Sequence, residues 1–129
     1  MSPDELLFFN EHPGALEIYA ALRKALCAAG KDVRVEVKKT QISFFTRTMF
    51  AAVSFLPVRR AARRPKDFVT LTLSLPDRLD SARVDASSEP YPGRWTHHIL
   101  LTDPGELDAE LLGWVRAAAE FSARKRQRS

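Results

Sequence analysis

Cysteine is almost missing from this chain. Cys27 is the only one, which excludes an internal disulfide and a Cys-x-x-Cys metal clamp. It lies in an alanine-rich helical stretch and reads either as a small buried apolar residue or as a reactive thiol. Glycine is sparse too. The five stand at positions 14, 30, 93, 105 and 113, too far apart for the Gly-x-Gly-x-x-Gly turn or the P-loop that cradles a nucleotide's phosphates. Histidine is limited to His12, His97 and His98, and there is no Gly-x-Ser-x-Gly, His-Glu-x-x-His or EF-hand pattern. No apolar run approaches the ~18 residues of a membrane span. The start, Met1-Ser2-Pro3-Asp4-Glu5, lacks the basic and apolar regions of a signal peptide. The expectation is a cytoplasmic protein with no membrane association, no metal and no cofactor.

What is present suits one globular domain. The chain has 129 residues, 45% hydrophobic and 28% charged, an ordinary balance for a single core. The net charge is +4, but its location says more than its size. Arg124, Lys125, Arg126 and Arg128 crowd the end; without them, the remaining Lys and Arg equal the 16 Asp and Glu. Arg59, Arg60, Arg63, Arg64 and Lys66 form a second basic cluster in what reads as a loop. The positive charge is therefore patchy, a pattern that bears on partners. We expect a domain over residues 1–123 and a basic, frayed tail over 124–129.

The order of elements follows from periodicity and punctuation. Ser2, Pro3 and Glu5 supply an N-cap, a proline at the first helical position and a capping box, so a short helix should run to about Asn10. His12-Pro13-Gly14 interrupts it. From Ala15 to Ala29, Leu16, Tyr19, Leu22 and Leu26 mark one face of a helix that Gly30 ends. Val33, Val35 and Val37 then alternate with charged residues as in a half-buried strand. Ile42–Phe45 reads as a shorter extended piece, and 49–56 as a well-covered strand closed by Pro57. Val69, Leu71, Leu73 and Leu75 alternate with Thr70, Thr72 and Ser74, the cleanest strand pattern here. A weaker strand is expected over 82–86, a last one over 95–101, and a closing helix over about 104–123 that carries Leu107, Leu111, Trp114, Ala118 and Phe121 on one face. This order predicts an α+β fold: an antiparallel sheet of four or five strands, with two N-terminal helices and one C-terminal helix on one face.

Few residues stand out as chemistry. Adjacent side chains of a strand point to opposite faces, so His97 and His98 cannot chelate one ion together. Trp95, His97, Ile99 and Leu101 share the face that looks more buried; His97 is then a core histidine held by a hydrogen bond, a ligand-binding one or, least favoured, a catalytic one. Lys38-Lys39-Thr40-Gln41 ends a strand, where a lysine pair and a hydroxyl can grip an anion or be a solvated turn. Asp77, Asp80 and Asp85 look like turn residues rather than a carboxylate cluster. Phe44, Phe45, Phe50 and Phe55 have the chemistry of stacking platforms, but their apolar neighbours favour core packing.

Through Lys39-Thr40-Gln41-Ile42-Ser43-Phe44 and Arg94-Trp95-Thr96-His97-His98, with Leu107-Asp108-Ala109-Glu110-Leu111 and Trp114 behind them, the chain resembles a bacterial family known as domain of unknown function 5655. The likeness runs from about Phe8 to Phe121. It implies a compact α+β domain without established activity or cofactor, and no catalytic residue comes with it. It draws attention to Lys39, Thr40, Ser43, Trp95 and His97 as ligand-binding candidates; the 59–66 loop and the tail lie outside its motifs. Two functions follow as expectations. The first is a non-catalytic binding module whose Arg59, Arg60, Arg63, Arg64, Lys66, Arg124, Lys125, Arg126 and Arg128 contact nucleic acid or an acidic protein, weakly and with salt sensitivity. The second is a small-ligand or enzymatic site where the Lys39-Thr40 turn meets the Trp95–His97 strand.

Overall fold

In the computed structural model, which describes residues 1–124, alternation of side chains builds one antiparallel sheet. Its strands are β1 (Arg34–Val37), β2 (Gln41–Phe45), β3 (Met49–Ser54), β4 (Val69–Leu75), β5 (Ala86–Tyr91) and β6 (Arg94–Leu101), in the order β1-β2-β3-β4-β6-β5. The helices are α1 (Pro3–Phe8), α2 (Leu16–Ala28) and α3 (Ala109–Ala123). The α+β class and the antiparallel sheet agree with the sequence; the strand count does not. Among the described residues there are six strands, because Ile42–Phe45 belongs to a full strand paired on both sides, and a polar strand forms at 86–91 after a turn occupies part of the expected 82–86.

Register fixes what each face of the sheet carries. Leu73 pairs with Ala51 on one side and His97 on the other, and Leu71 with Val53 and Ile99. These positions, with Ile42 and Phe44 of β2, join the buried stripes of α2 (Ile18, Tyr19, Leu22, Leu26) and α3 (Leu111, Val115, Ala118, Ala119) in one core. The intervening positions, Ser43, Ala52, Thr72 and His98, form the other, more polar face. A register shift opposite Phe44 and Phe45 turns Phe50 into the core as well.

Helix ends and loops are tied by side chains. The capping box of Ser2 and Glu5 forms as the sequence suggests, and Asp108 caps α3 by accepting from Leu111 N. Glu5 is also buried beneath α2, where its carboxylate accepts from Tyr19 Oη and, at 2.5 Å, from Arg23 Nε. Burial raises the Glu5 pKa, but hydrogen bonds from Arg23, from Ser2 N and from Tyr19 outweigh it and hold it down to about 2. This network fixes α1 at the rim of the sheet. Arg83 fastens the 76–85 segment to α3 through Asp108 and Glu110, both at 2.9 Å, and lies over the Trp114 ring. Pro92-Gly93 closes the β5–β6 hairpin, Gly93 at φ 77°.

Candidate functional site

The polar face is not covered by α2 or α3, and it holds a groove of about 670 Å³. Sheet residues Gln41, Met49, Ala52, Ser54, Thr72 and His98 line it, and Leu7, Phe8, Glu11 and His12 of the α1 end wall one side. These sheet residues arrive there by parity, Thr72 pairing with Ala52 and with His98 and Ser54 with Gln41, except Met49, which the register shift at Phe44 and Phe45 brings to this face. Thr72 Oγ1 and His98 Nδ1 are 2.8 Å apart and share a hydrogen bond. Gln41 Nε2 donates to Ser43 Oγ at 2.8 Å and reaches Met49 Sδ at 3.7 Å. Ser54 Oγ accepts from Leu56 N at 3.2 Å. Burial pushes the His98 pKa below the ordinary histidine value, so the ring is neutral at pH 7 and can donate from one nitrogen while accepting at the other.

Apolar side chains close the rest. Phe55 stacks on His12 at 3.9 Å and on Phe8 at 5.4 Å between centroids. Leu7 and Leu56 line the groove yet stay 69% and 45% exposed. Large aliphatic side chains left open beside a concave apolar surface are the usual mark of a contact site.

The candidates read from sequence divide between the two faces. Lys39 and Thr40 line the groove. Ser43 is fully buried on the same face and accepts from Gln41. Trp95 and His97 lie on the helix-covered face, opposite Leu75 and Leu73. His97 is fully buried; its Nε2 accepts from Leu79 N at 2.9 Å, and Nδ1 has no partner among the described residues. Thr40 and His97 are thus separated by the sheet, and the expected pocket joining them does not form. The physical reason is the two-residue period of a strand, which gives the groove His98 in place of His97. Thr72 and His98 were legible as polar members of apolar strands, but nothing local in the sequence joins them to Phe8 and Met49.

The basic loop is the second charged surface. Arg59 is tied down: Nε donates to Asp85 Oδ1 at 2.8 Å, while Asp85 Oδ2 accepts from Leu100 N at 2.8 Å. Arg60, Arg63, Arg64 and Lys66 are exposed, and among the described residues none lies within 4.0 Å of a carboxylate. Arg59, Arg60 and Arg63 rim a depression of about 600 Å³ above Ala82 and Asp85. The loop begins at the groove, since Leu56 belongs to its lining. Arg124 follows α3 with its guanidinium over Phe121 at 5.9 Å; Lys125, Arg126 and Arg128 lie outside the described residues. Among the described residues no three His, Cys, Asp or Glu gather as a metal site, and no helix is long and apolar enough to cross a membrane.

A sequence model of the family described as Domain of unknown function (DUF5655) matches residues 7–122, a span that takes in the groove, the basic loop and all six strands. No curated protein and no solved structure is significantly similar.

Proposed function

For a chain that belongs to the family described as Domain of unknown function (DUF5655), a description that assigns no activity, we propose a non-catalytic binding module for the phosphate backbone of nucleic acid. The observation that carries the reading is the 59–66 loop. One arginine of the five cations is spent on an internal latch to Asp85, and the other four project outward without carboxylate partners among the described residues. Four like charges so close repel one another unless an anionic partner offsets them. A phosphate backbone does this without base readout, so binding is weak, salt-sensitive and indifferent to sequence. The reading suits a bacterial cytoplasmic protein.

Fluorescence anisotropy with a labelled oligonucleotide at low salt tests it. Affinity should fall with salt at a log-log slope of about −0.7 per neutralised phosphate on single strands, or about −0.9 on duplex. Joint replacement of Arg60, Arg63, Arg64 and Lys66 by Glu should abolish binding with an unchanged circular dichroism spectrum. Arg59 is left in place, because reversing it would break the latch to Asp85. No binding by the wild type at low salt overturns the proposal.

The alternative, a small-ligand or enzymatic site built on the Lys39-Thr40 turn and the Trp95–His97 strand, is divided by the sheet and survives only as the groove. What favours that remnant is its mixed lining beside the exposed Leu7 and Leu56.

A further inference from the structure

We infer that the groove of the polar face binds one uncharged, nitrogen-containing aromatic ring of the nucleobase class. Its lining selects that chemistry by exclusion and by fit. The rim charges, Lys39 and Glu11, are of opposite sign, so the groove offers no surplus charge for a carboxylate or phosphate of its own. Thr72 and His98 already bond each other and Gln41 Nε2 donates to Ser43, but a plain acyl chain would leave the Gln41 amide oxygen and the second ring nitrogen of His98 facing hydrocarbon, which costs free energy for each polar group left unsatisfied. A planar ring with both donors and acceptors on its edge satisfies them, while Phe8, Phe55 and the Met49 thioether meet its faces.

The Thr72–His98 pair is suited to such an edge. With Nδ1 engaged by Thr72 Oγ1, His98 keeps Nε2 for the groove. The threonine hydroxyl donates or accepts by rotation, so either histidine tautomer is tolerated and Nε2 can present a proton or a lone pair. The pair can therefore meet an acceptor or a donor on the ring. Position supplies the remaining argument. Leu56 forms one lip and the basic loop starts directly after it, and Arg59 is latched to Asp85, whose carboxylate holds the Leu100 amide two residues along β6 from His98. The inference requires that a strand whose phosphates lie on the loop bring a base to the groove. For the source of the ring, the inference rests on the polyanion reading above.

The test separates the two. Adenosine, guanosine, cytidine and uridine, which carry no phosphate, are titrated into the full chain while the His98 imidazole resonances are followed by NMR. In parallel, an oligonucleotide and its abasic counterpart of equal charge are compared by anisotropy for the wild type and Thr72→Val. The inference expects saturable shifts of His98 with at least one nucleoside. It also expects tighter binding of the base-bearing strand, and about a tenfold loss of that advantage in Thr72→Val with an unchanged salt slope. His98→Phe, which removes both nitrogens and keeps a ring, should abolish the nucleoside response. If both strands bind equally and no nucleoside moves His98, the ring site is overturned and the polyanion reading stands. If nucleosides bind but neither strand does, the polyanion reading falls and the ring site stands.

Discussion

His97 and His98 are adjacent in the chain and live in different surroundings, one fully buried on the core face, where it accepts from Leu79 N, and one lining an open groove. Parity along β6 decides between them, and it was legible: the alternation of Trp95, His97, Ile99 and Leu101 assigns His97 to the core. The residues that share the groove with Thr40 were not legible, because the groove is assembled from chain segments dozens of positions apart. The same parity gives Leu73, fully buried between Ala51 and His97, its weight in the core. Leu73→Ala should cost about 2 to 5 kcal/mol in a urea titration, and a loss below about 1 kcal/mol would contradict its placement. Glu5 makes a pH-dependent contribution. Its carboxyl is held at about 2 in the fold against an ordinary value of 4.5, so the folded state favours the charged form. The resulting stability is fully present above about pH 4.5 and is lost as pH falls towards 2. The stability difference between wild type and Glu5→Gln, up to about 3 kcal/mol at neutral pH, should therefore shrink steadily over that window in denaturant titrations. A difference that stays constant down to pH 2 would mean that the network does not depend on the carboxylate's charge.

Elements with an apolar period were readable, and those without one were not. β4 carries its apolar residues at every second position, although all of it except Thr72 is buried, and both long helices carry stripes at helical spacing. β5 carries Ala86-Ser87-Ser88-Glu89-Pro90-Tyr91 and is largely exposed at the sheet edge. With no buried face it leaves no pattern, and the proline it contains is tolerated only because an edge strand need not donate on both sides. The closing helix starts later than its capping signal suggested, since Asp103 and Glu106 cap a single 3-10 turn and Asp108 caps the helix proper. Two glycines test element geometry with opposite signs. At Gly93 an added Cβ would meet nothing within 4 Å, but φ is 77°, so Gly93→Ala should lower stability by about 1 to 2 kcal/mol from backbone strain alone. Gly113 lies inside α3 with equally open space and ordinary helical geometry. Gly113→Ala should raise stability by about 0.5 to 1 kcal/mol. Thermal melts of the two variants should move in opposite directions.

At the scale of the molecule, the sheet separates a packed side from a receptive one. α3 packs on β3 and β4, the centre of the strand order, and the core condenses there. The other face is bounded at one margin by the end of α1, and α1 has few ties of its own. Leu6 and Leu7 are exposed, and Glu5 is its only fully buried residue. The groove wall of Leu7, Phe8, Glu11 and His12 is therefore held in place by the Glu5–Tyr19–Arg23 network, by Phe9, which packs against Tyr19 at 4.6 Å, and by the stacking of Phe8 and His12 on Phe55. Local opening free energies in a protein range from near zero at weakly tied margins up to the global value in the core. Amide exchange at pH 7 should accordingly be slowest in β3, β4 and β6, and faster in β5 and in residues 3–12. Glu5→Gln removes the charge that Arg23 and Tyr19 converge on. It should speed exchange in 3–12 well beyond any change in β4, and weaken whatever the groove binds without altering the charge of the basic loop. Equal acceleration in α1 and β4 would mean that α1 opens only with the whole fold, and that the groove wall is part of the core rather than a margin fastened to it.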